Sequence, residues 1–305
     1  MSHQKTIRRP VSCGGIGLHT GKAVELTLLP APPGSGITFE RADLLGSPVI
    51  PARPEYVADV HYATTLARGG VEVRTIEHLM AALSGLGVDN LRVRLTGPEV
   101  PILDGSAAPF VALLRAAGIR RYLLPKAPIR VQRPITVRAG DRWIAIEPAP
   151  RLVVEYAMTF AHPKFPAQRI ALTVNRETFV REVAPCRTFG FLRDVRYLWS
   201  QGLALGGSLE NAVVIGEEGV LNEGLRFEDE MIRHKVLDLI GDLYLLGRPV
   251  QGKVTAHGAG HALHNQLARE ILRQHRAAEA AAAAATEPTW EPPLLTPEPL
   301  SPAVL

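Results

Sequence analysis

The sequence predicts an α+β protein built from two copies of one strand-and-helix unit, because two kinds of segment recur in it in the same order. The first kind is "GKAVELTLLPAP" at 21–32 and "GDRWIAIEPAP" at 140–150, each a turn glycine, an alternating run and then Pro-Ala-Pro. Alternation with period two is the signature of a strand with one buried face. The second kind is "EHLMAALSGLG" at 77–87 and "RHKVLDLIGDL" at 233–243, each with a histidine, a leucine five residues later and a glycine seven residues later. Both are apolar at the 3.6-residue period of a helix. Either match alone arises easily by chance; both in one order point to duplication.

Basic residues and proline interrupt the pattern at "RRYLLPKAP", 120–128, which sets the expected boundary. An N-terminal α+β domain is expected over 1–122 and a C-terminal α+β domain over 123–276. The second unit is longer before its helix, and the extra chain includes "FGFLRDVRYLWSQGLALGG" at 189–207. Leu192, Val195, Leu198 and Trp199 give that insert an amphipathic pattern, which by itself favours an extension of the core over a cover for a ligand. The stretch 277–305 has low complexity, beginning as an alanine-rich helix extension and ending in proline-rich chain that holds neither helix nor sheet; a mobile tail is expected.

Composition narrows the function classes. The 305 residues are 46% hydrophobic and 21% charged, the balance of a soluble globular protein large enough to bury an active site between two domains. No apolar stretch is long enough to span a bilayer, and "MSHQKTIRRP" runs on without the apolar core of a secretory signal, so a cytoplasmic location is expected. Cys13 and Cys186 form neither a CxxC pair nor a disulfide framework and read as reduced thiols, so any metal site must use His and carboxylates. The net charge of +4 comes from scattered basic residues without a nucleic-acid-binding motif, and an anionic small substrate suits it better than nucleic acid.

The helix "RFEDEMIRHKVLDLIGDLYLLG", 226–247, carries the most informative pattern. Met231, Val236, Leu237, Ile240, Leu243 and Tyr244 form an apolar face, while His234, Asp238 and Asp242 make one polar stripe at spacing of four. Such a stripe on a core helix must meet solvent, a partner or a metal. His234 and Asp238 can reach one ion from a single helical turn, and the duplicated His78 can supply a third ligand from the other unit, leaving one position open as in catalytic zinc sites. Glu77, next to His78, suits a general base; as an alternative it is a first-turn acid complementing the helix dipole, with Thr75 as N-cap. "HGAGHALH" offers His257, His261 and His264 as acid or oxyanion stabiliser, and spacing does not choose among them. Asp242 suits a carboxylate that keeps such a histidine charged, or simply an acceptor for a structural N–H.

Taken together, "TIEHLMAALSGLGVDN", "PILDGSAAPFV", "RTFGFLRD", "GLRFEDEMIRHKVLDLIGDLYLLG" and "GHALHN" closely resemble the UDP-3-O-acyl-N-acetylglucosamine deacetylases, zinc amidases that commit Gram-negative bacteria to lipid A synthesis. The resemblance runs from about residue 4 to 270. It implies two duplicated α+β domains packed as a β-α-α-β sandwich, with the insert near 189–207 forming an acyl-chain passage. It implies Zn2+ on His78, His234 and Asp238, Glu77 as base, His261 as general acid, Asp242 as its support and Thr188 as a hydroxyl assisting the oxyanion. Lys235, Phe160 and Arg142 match nucleotide contacts, and Phe189 a contact to the sugar. The implied substrate is UDP-3-O-acyl-N-acetylglucosamine, handled by a monomer with no nucleic-acid partner. The sequence departs from better-known relatives at Gly258, where a lysine is common, at Ala161 and at Ala63, which implies altered nucleotide affinity rather than altered chemistry. Two rival readings are another zinc amidohydrolase, which would not bind UDP, and a non-catalytic nucleotide-sugar binder, which would not need Glu77 and all three ligands.

Overall fold

The alternating segments form strands whose inward residues are buried. In Ala23–Pro30, Val24, Leu26 and Leu28 point into the core and Glu25 and Ala23 point out. The computed structural model describes residues 2–286, so the proline-rich end of the expected tail lies outside the described residues. The alanine-rich start of that tail, through residue 286, continues the last helix.

The first sheet has the order Val11–Ile16, Ala23–Pro30, Leu91–Leu95, Ile37–Arg41, Val49–Pro51. The second has the order Ile135–Ala139, Arg142–Glu147, Val250–His257, Leu152–Met158, Gln168–Thr173, with Ile129–Arg130 added beside Val250–His257. In each, a hairpin supplies the first two strands, and the third is antiparallel to the second and parallel to the fourth. The third strand also follows the long helix in both halves. The two segments read as duplicated strands, Ala23–Pro30 and Arg142–Glu147, occupy the same place in their sheets, so the repeat is one of topology as well as sequence.

Six helices are described: α1 Glu77–Leu86, α2 Ala108–Ala117, the one-turn α3 Arg176–Thr178, α4 Leu192–Ser200, α5 Glu230–Leu243 and α6 His261–Thr286. α2 packs on α1 and the first sheet, α5 and α6 pack on the second sheet, and α1 lies against α5, which makes a sheet-helix-helix-sheet sandwich. α1 buries Leu79, Met80, Leu83 and Leu86 almost completely. Each such side chain contributes roughly 1.5–3 kcal/mol, so tertiary packing rather than helix propensity holds this short helix. The predicted apolar face of α5 is buried as well, from Met231 to Tyr244.

The two repeat glycines have packing reasons. A Cβ at Gly241 would run into the backbone of Glu77, so the close crossing of α5 on α1 requires glycine there. A Cβ at Gly85 would run into the buried ring of Phe179.

Each half carries its insert at the same point, between its last sheet strand and its long helix. The first is the antiparallel set Val57–Asp59, Thr65–Arg68 and Val71–Val73. The second comprises Phe189–Phe191, Val213–Gly216 and Gly219–Val220, with α4 between the first two. The expectation that the second insert extends the core is met in part: Phe189 and Phe191 pack on a small second core of Phe160, Val213, Ile215 and Met231, whereas α4 buries none of its residues. The amphipathic pattern is there: Val195 and Leu198 are half-buried, and α4 lies against the strands Phe189–Phe191 and Val213–Gly216, while Leu192, Tyr197 and Trp199 stay in solvent. Residue 122, the expected end of the first domain, falls inside the strand Ile119–Lys126, which pairs with Ser2–Ile7. The chain thus leaves the first half along a strand that ties the N-terminus down.

Candidate metal and acid-base site

The polar stripe of α5 does not meet solvent. His234 and Asp238 are each 2% exposed and Asp242 1%. The stripe faces α1 and the start of α6. At the α1 crossing, the imidazoles of His78 and His234 stand edge to face, with centroids 4.9 Å apart. Asp238 Oδ1 lies 3.3 Å from His234 Nε2 and 3.7 Å from His78 Nε2. His234 Nδ1 is 3.0 Å from the carbonyl oxygen of Cys186, a bond in which the ring nitrogen donates, so Nε2 keeps a free lone pair.

Electrostatics sets the protonation of the three. Burial lowers the pKa of His78 to about 3, helped by His234, and burial also lowers that of His234, so both rings are neutral. Burial works against the Asp238 carboxylate, but the positive charges of Lys235 and His261 outweigh it and hold the group ionised. Lys235 Nζ donates to Oδ2 at 2.6 Å, whereas Oδ1 is buried without any hydrogen-bond donor. An orphaned carboxylate oxygen facing two imidazole lone pairs is costly unless something positive sits among them. The three ligand atoms lie within 4.8 Å of one another and fit a divalent cation.

Asp242, His261 and His264 form a second tight cluster with a different explanation. Asp242 Oδ2 accepts from His261 Nδ1 at 2.7 Å and His264 Nδ1 at 2.9 Å, and its Oδ1 accepts from the Thr64 hydroxyl at 2.6 Å. Internal hydrogen bonds occupy these groups, so a metal is not required. Burial pulls the His261 pKa down, yet Asp242, with Asp238 and Glu77 behind it, raises it to about 9. The same imidazoles, against the cost of burial, hold the Asp242 carboxyl down at about 2. Burial raises Glu77 to about 8, with Asp238 adding to the shift and His261 opposing it. Glu77 Oε2 accepts from the Thr64 backbone N–H at 3.1 Å.

Among the three candidate histidines, His261 alone comes near the metal cluster, with Nε2 3.9 Å from Asp238 Oδ2. His264 is fully buried behind Asp242, its Nε2 3.0 Å from the Tyr156 hydroxyl, and His257 is exposed at the end of its strand. The capping alternative for Thr75 is overturned. α1 starts without a side-chain cap, Thr75 has a positive φ of 57°, and its hydroxyl donates instead to Glu99 Oε1 at 2.7 Å. Glu77 nevertheless sits in the first turn of α1, so dipole complementarity and a place in the site are both true of it.

Of the remaining predicted positions, Thr188 donates its backbone N–H to the Gly105 carbonyl at 2.8 Å and follows Arg187, whose guanidinium pairs with the fully buried Glu230. Arg187 and Glu230 thereby fasten the "RTFGF" segment to the first turn of α5. Phe189 lies edge-on to His234, with centroids 6.4 Å apart, and to Phe160 at 5.8 Å, and Lys235 Nζ is 5.7 Å from its ring centre. Arg142 stands apart, exposed at the first residue of its strand and packed against Gly258. Gly258 has φ of 56°, and a Cβ there would press on the Arg142 side chain, so this backbone does not accept a lysine without strain. Thr64, the Cys186 carbonyl, Glu230 and Tyr156 were not signalled by the sequence, because each acts from a segment with no motif or spacing tying it to the helices.

The chain is similar to known proteins over most of its length. The family described as UDP-3-O-acyl N-acetylglycosamine deacetylase matches residues 4–273. A protein of Myxococcus xanthus (strain DK1622) named UDP-3-O-acyl-N-acetylglucosamine deacetylase is 51% identical over 271 residues, 88% of this chain and 86% of the relative. One of the same name from Acidithiobacillus ferrooxidans is 49% identical over 282 residues, covering 92% of this chain and 93% of the relative. Another from Shewanella sp. (strain W3-18-1) is 45% identical over 283 residues, 92% of each. With the match spanning both halves and every residue of the buried cluster, the chain belongs to the UDP-3-O-acyl N-acetylglycosamine deacetylase family.

Proposed function

We propose that the chain is a zinc-dependent hydrolase that removes the N-acetyl group of UDP-3-O-acyl-N-acetylglucosamine, giving the free amine and acetate, the committed step of lipid A biosynthesis. Family membership supports the substrate. The observation that carries the chemistry is the pairing of two buried groups, Glu77 with its pKa raised to about 8 and His261 with its pKa raised to about 9, beside three converging lone-pair donors. An acid and a base brought together beside a cation site are what amide hydrolysis needs.

His78, His234 and Asp238 would hold the ion, and two neutral imidazoles with one carboxylate suit zinc. Zinc bound there supplies a Lewis acid that polarises the acetyl carbonyl and favours ionised water. Glu77, oriented by the Thr64 N–H, takes a proton from water as the water oxygen bonds to the carbonyl carbon. The carbonyl electron pair moves onto oxygen, and the Thr188 hydroxyl with cationic His261 stabilises that charge. His261 then gives its Nε2 proton to the amide nitrogen, the C–N bond breaks with its electrons going to nitrogen, and acetate leaves. Asp242 holds His261 through Nδ1, which keeps Nε2 as the proton-bearing nitrogen aimed at the reaction. Lys235, Phe160, Phe189 and Arg142 contact the nucleotide-sugar in this reading, and the insert with α4, which exposes Leu192, Tyr197 and Trp199, takes the acyl chain.

Every group in the scheme comes from one chain, which fits a monomer. No helix among the described residues is long and apolar enough to cross a membrane, and Cys13 and Cys186 are free thiols, which fits a cytoplasmic enzyme. Deacetylation of UDP-3-O-acyl-N-acetylglucosamine, measured before and after chelation and after zinc is restored, tests the proposal. Release of acetate that stops with chelation and returns with zinc is expected; full activity in metal-free protein would overturn it.

A further inference from the structure

We propose that Thr64 is a positioning residue that holds Glu77 and His261 in register across the interface between the two halves. The inference rests on the acid-base reading above. Thr64 is 1% exposed and comes from the insert of the first half, between Asp59 and the strand Thr65–Arg68. Its backbone N–H donates to Glu77 Oε2 at 3.1 Å, and its carbonyl accepts from Ile76 N–H at 3.4 Å, so the residue is clamped to the start of α1. Its hydroxyl reaches the other half, donating to Asp242 Oδ1 at 2.6 Å and lying 3.3 Å from His261 Nδ1.

Counting donors shows what that hydroxyl does. Asp242 Oδ2 already accepts from both His261 and His264, whereas the Thr64 hydroxyl is the donor recorded at Oδ1. A hydroxyl has one proton to give, and committing it to Oδ1 fixes the rotation of the carboxylate. The rotation of the carboxylate fixes in turn where His261 Nδ1 can bond, and so where Nε2 points. Thr64 and Asp242 are each 1% exposed, so the bond between them is buried away from bulk solvent. Without it, Oδ1 becomes a buried carboxylate oxygen with no donor, which is unfavourable and is relieved by turning the carboxylate off His261. One residue thus carries orientation from the base on one half, through its backbone N–H, to the acid on the other, through its hydroxyl.

The test compares Thr64→Val, which keeps the branched shape and loses the hydroxyl, with Thr64→Ser, which keeps the hydroxyl. Thr64→Val should lower kcat about 10- to 100-fold, the usual effect of an outer partner, with KM and zinc content unchanged. Thr64→Ser should stay within about threefold of wild type. Combined with Asp242→Asn, Thr64→Val should cost nothing further, because both changes break one linkage. The downfield proton resonance of His261 Nδ1–H, assigned by its loss in His261→Gln, should move in Thr64→Val and persist in Thr64→Ser. Wild-type kcat in Thr64→Val, an equal loss in the serine variant, multiplicative losses with Asp242→Asn, or an unmoved resonance would each overturn the proposal. An inactive wild-type protein would instead sink the proposed function, while the resonance would still decide the role of Thr64.

Discussion

α1 and α5 are copies of one helix that have diverged where they meet. Aligning His78 with His234 places Gly85 on Gly241, and these two pairs are kept. The same alignment places Ala82 on Asp238, Leu86 on Asp242 and Glu77 on Arg233. What survives, with Leu83 and Leu239, is two imidazoles facing across the interface and two glycines, of which Gly241 takes the close crossing on Glu77 and Gly85 the ring of Phe179. What differs is charge. Two copies of the α5 stripe would bury four aspartates in one cavity, and like charges at that depth cannot all stay ionised. Arg233 has turned to Asp229 and Glu182 at the rim, while Glu77 on the other copy points into the site. Duplication supplied a symmetric frame, and the asymmetric residues turned it into one cluster of converging ligand atoms with one buried carboxylate, Glu77, beside it.

The hardest blow to that frame is removal of either member of the symmetric pair. His78→Ala and His234→Ala should each abolish measurable deacetylation and lose bound zinc, since two remaining ligands do not make a tight site. Zinc content measured on protein purified without added metal checks this, and a large difference between the two variants would break the equivalence. Next in size is the asymmetric position. Glu77→Gln should retain the fold and one zinc per chain while turnover falls about a hundredfold or more, because the amide accepts no proton from water. Near-normal turnover would return Glu77 to its role in the first turn of α1.

A smaller and sharper effect is expected on the pH profile. In the proposed mechanism Glu77 must be a carboxylate, so the rate should fall as pH drops through its pKa, which burial raises to about 8 and a bound dication would pull lower. His261 must be an imidazolium, so the rate falls as pH rises through its pKa, raised to about 9 by Asp242 against the pull of burial and subject to the same downward influence of the dication. Asp242→Asn removes the largest interaction favouring imidazolium, so the basic limb of kcat/KM should move to lower pH and the bell should narrow. An unmoved basic limb would detach His261 from that limb.

Much of this was legible in the sequence because it is periodic. The strands around Leu26 and Ile144, the apolar face of α5 and the stripe of His234, Asp238 and Asp242 all follow from spacing within one segment. The repeat placed His78 opposite His234 before any contact was known. The choice of His261 over His257 and His264 was not legible from spacing, because it depends on which imidazole α6 turns toward Asp238. Thr64 was invisible for a stronger reason: its partners Glu77, Asp242 and His261 come from three segments, and no local pattern records a contact between them. Thr75 misled, since a threonine before a helix usually caps it, but here Glu99 captures the hydroxyl. The amphipathic pattern of α4 reports an apolar face but not how deeply it is buried: Val195 and Leu198 are only half-buried, and Leu192 and Trp199 are exposed.

The repeat glycines provide the smallest and most discriminating test of the two halves. Both should resist alanine, but for different reasons. At Gly241 the added methyl meets the backbone of Glu77, which cannot rotate away, so α1 must move off α5. At Gly85 it meets the ring of Phe179, which is fully buried and must repack. Each insertion should cost about 1–3 kcal/mol of stability, the usual cost of overpacking. Only Gly241→Ala displaces the residue that carries the base, so only that variant should also lower kcat, by several-fold, with zinc retained. Gly85→Ala should melt earlier yet turn over normally at a temperature where it is folded. Thermal unfolding read beside kcat separates the two, and equal kcat losses would mean that the geometry of the site is set by the packing of the whole helix pair rather than by the single crossing point at Glu77.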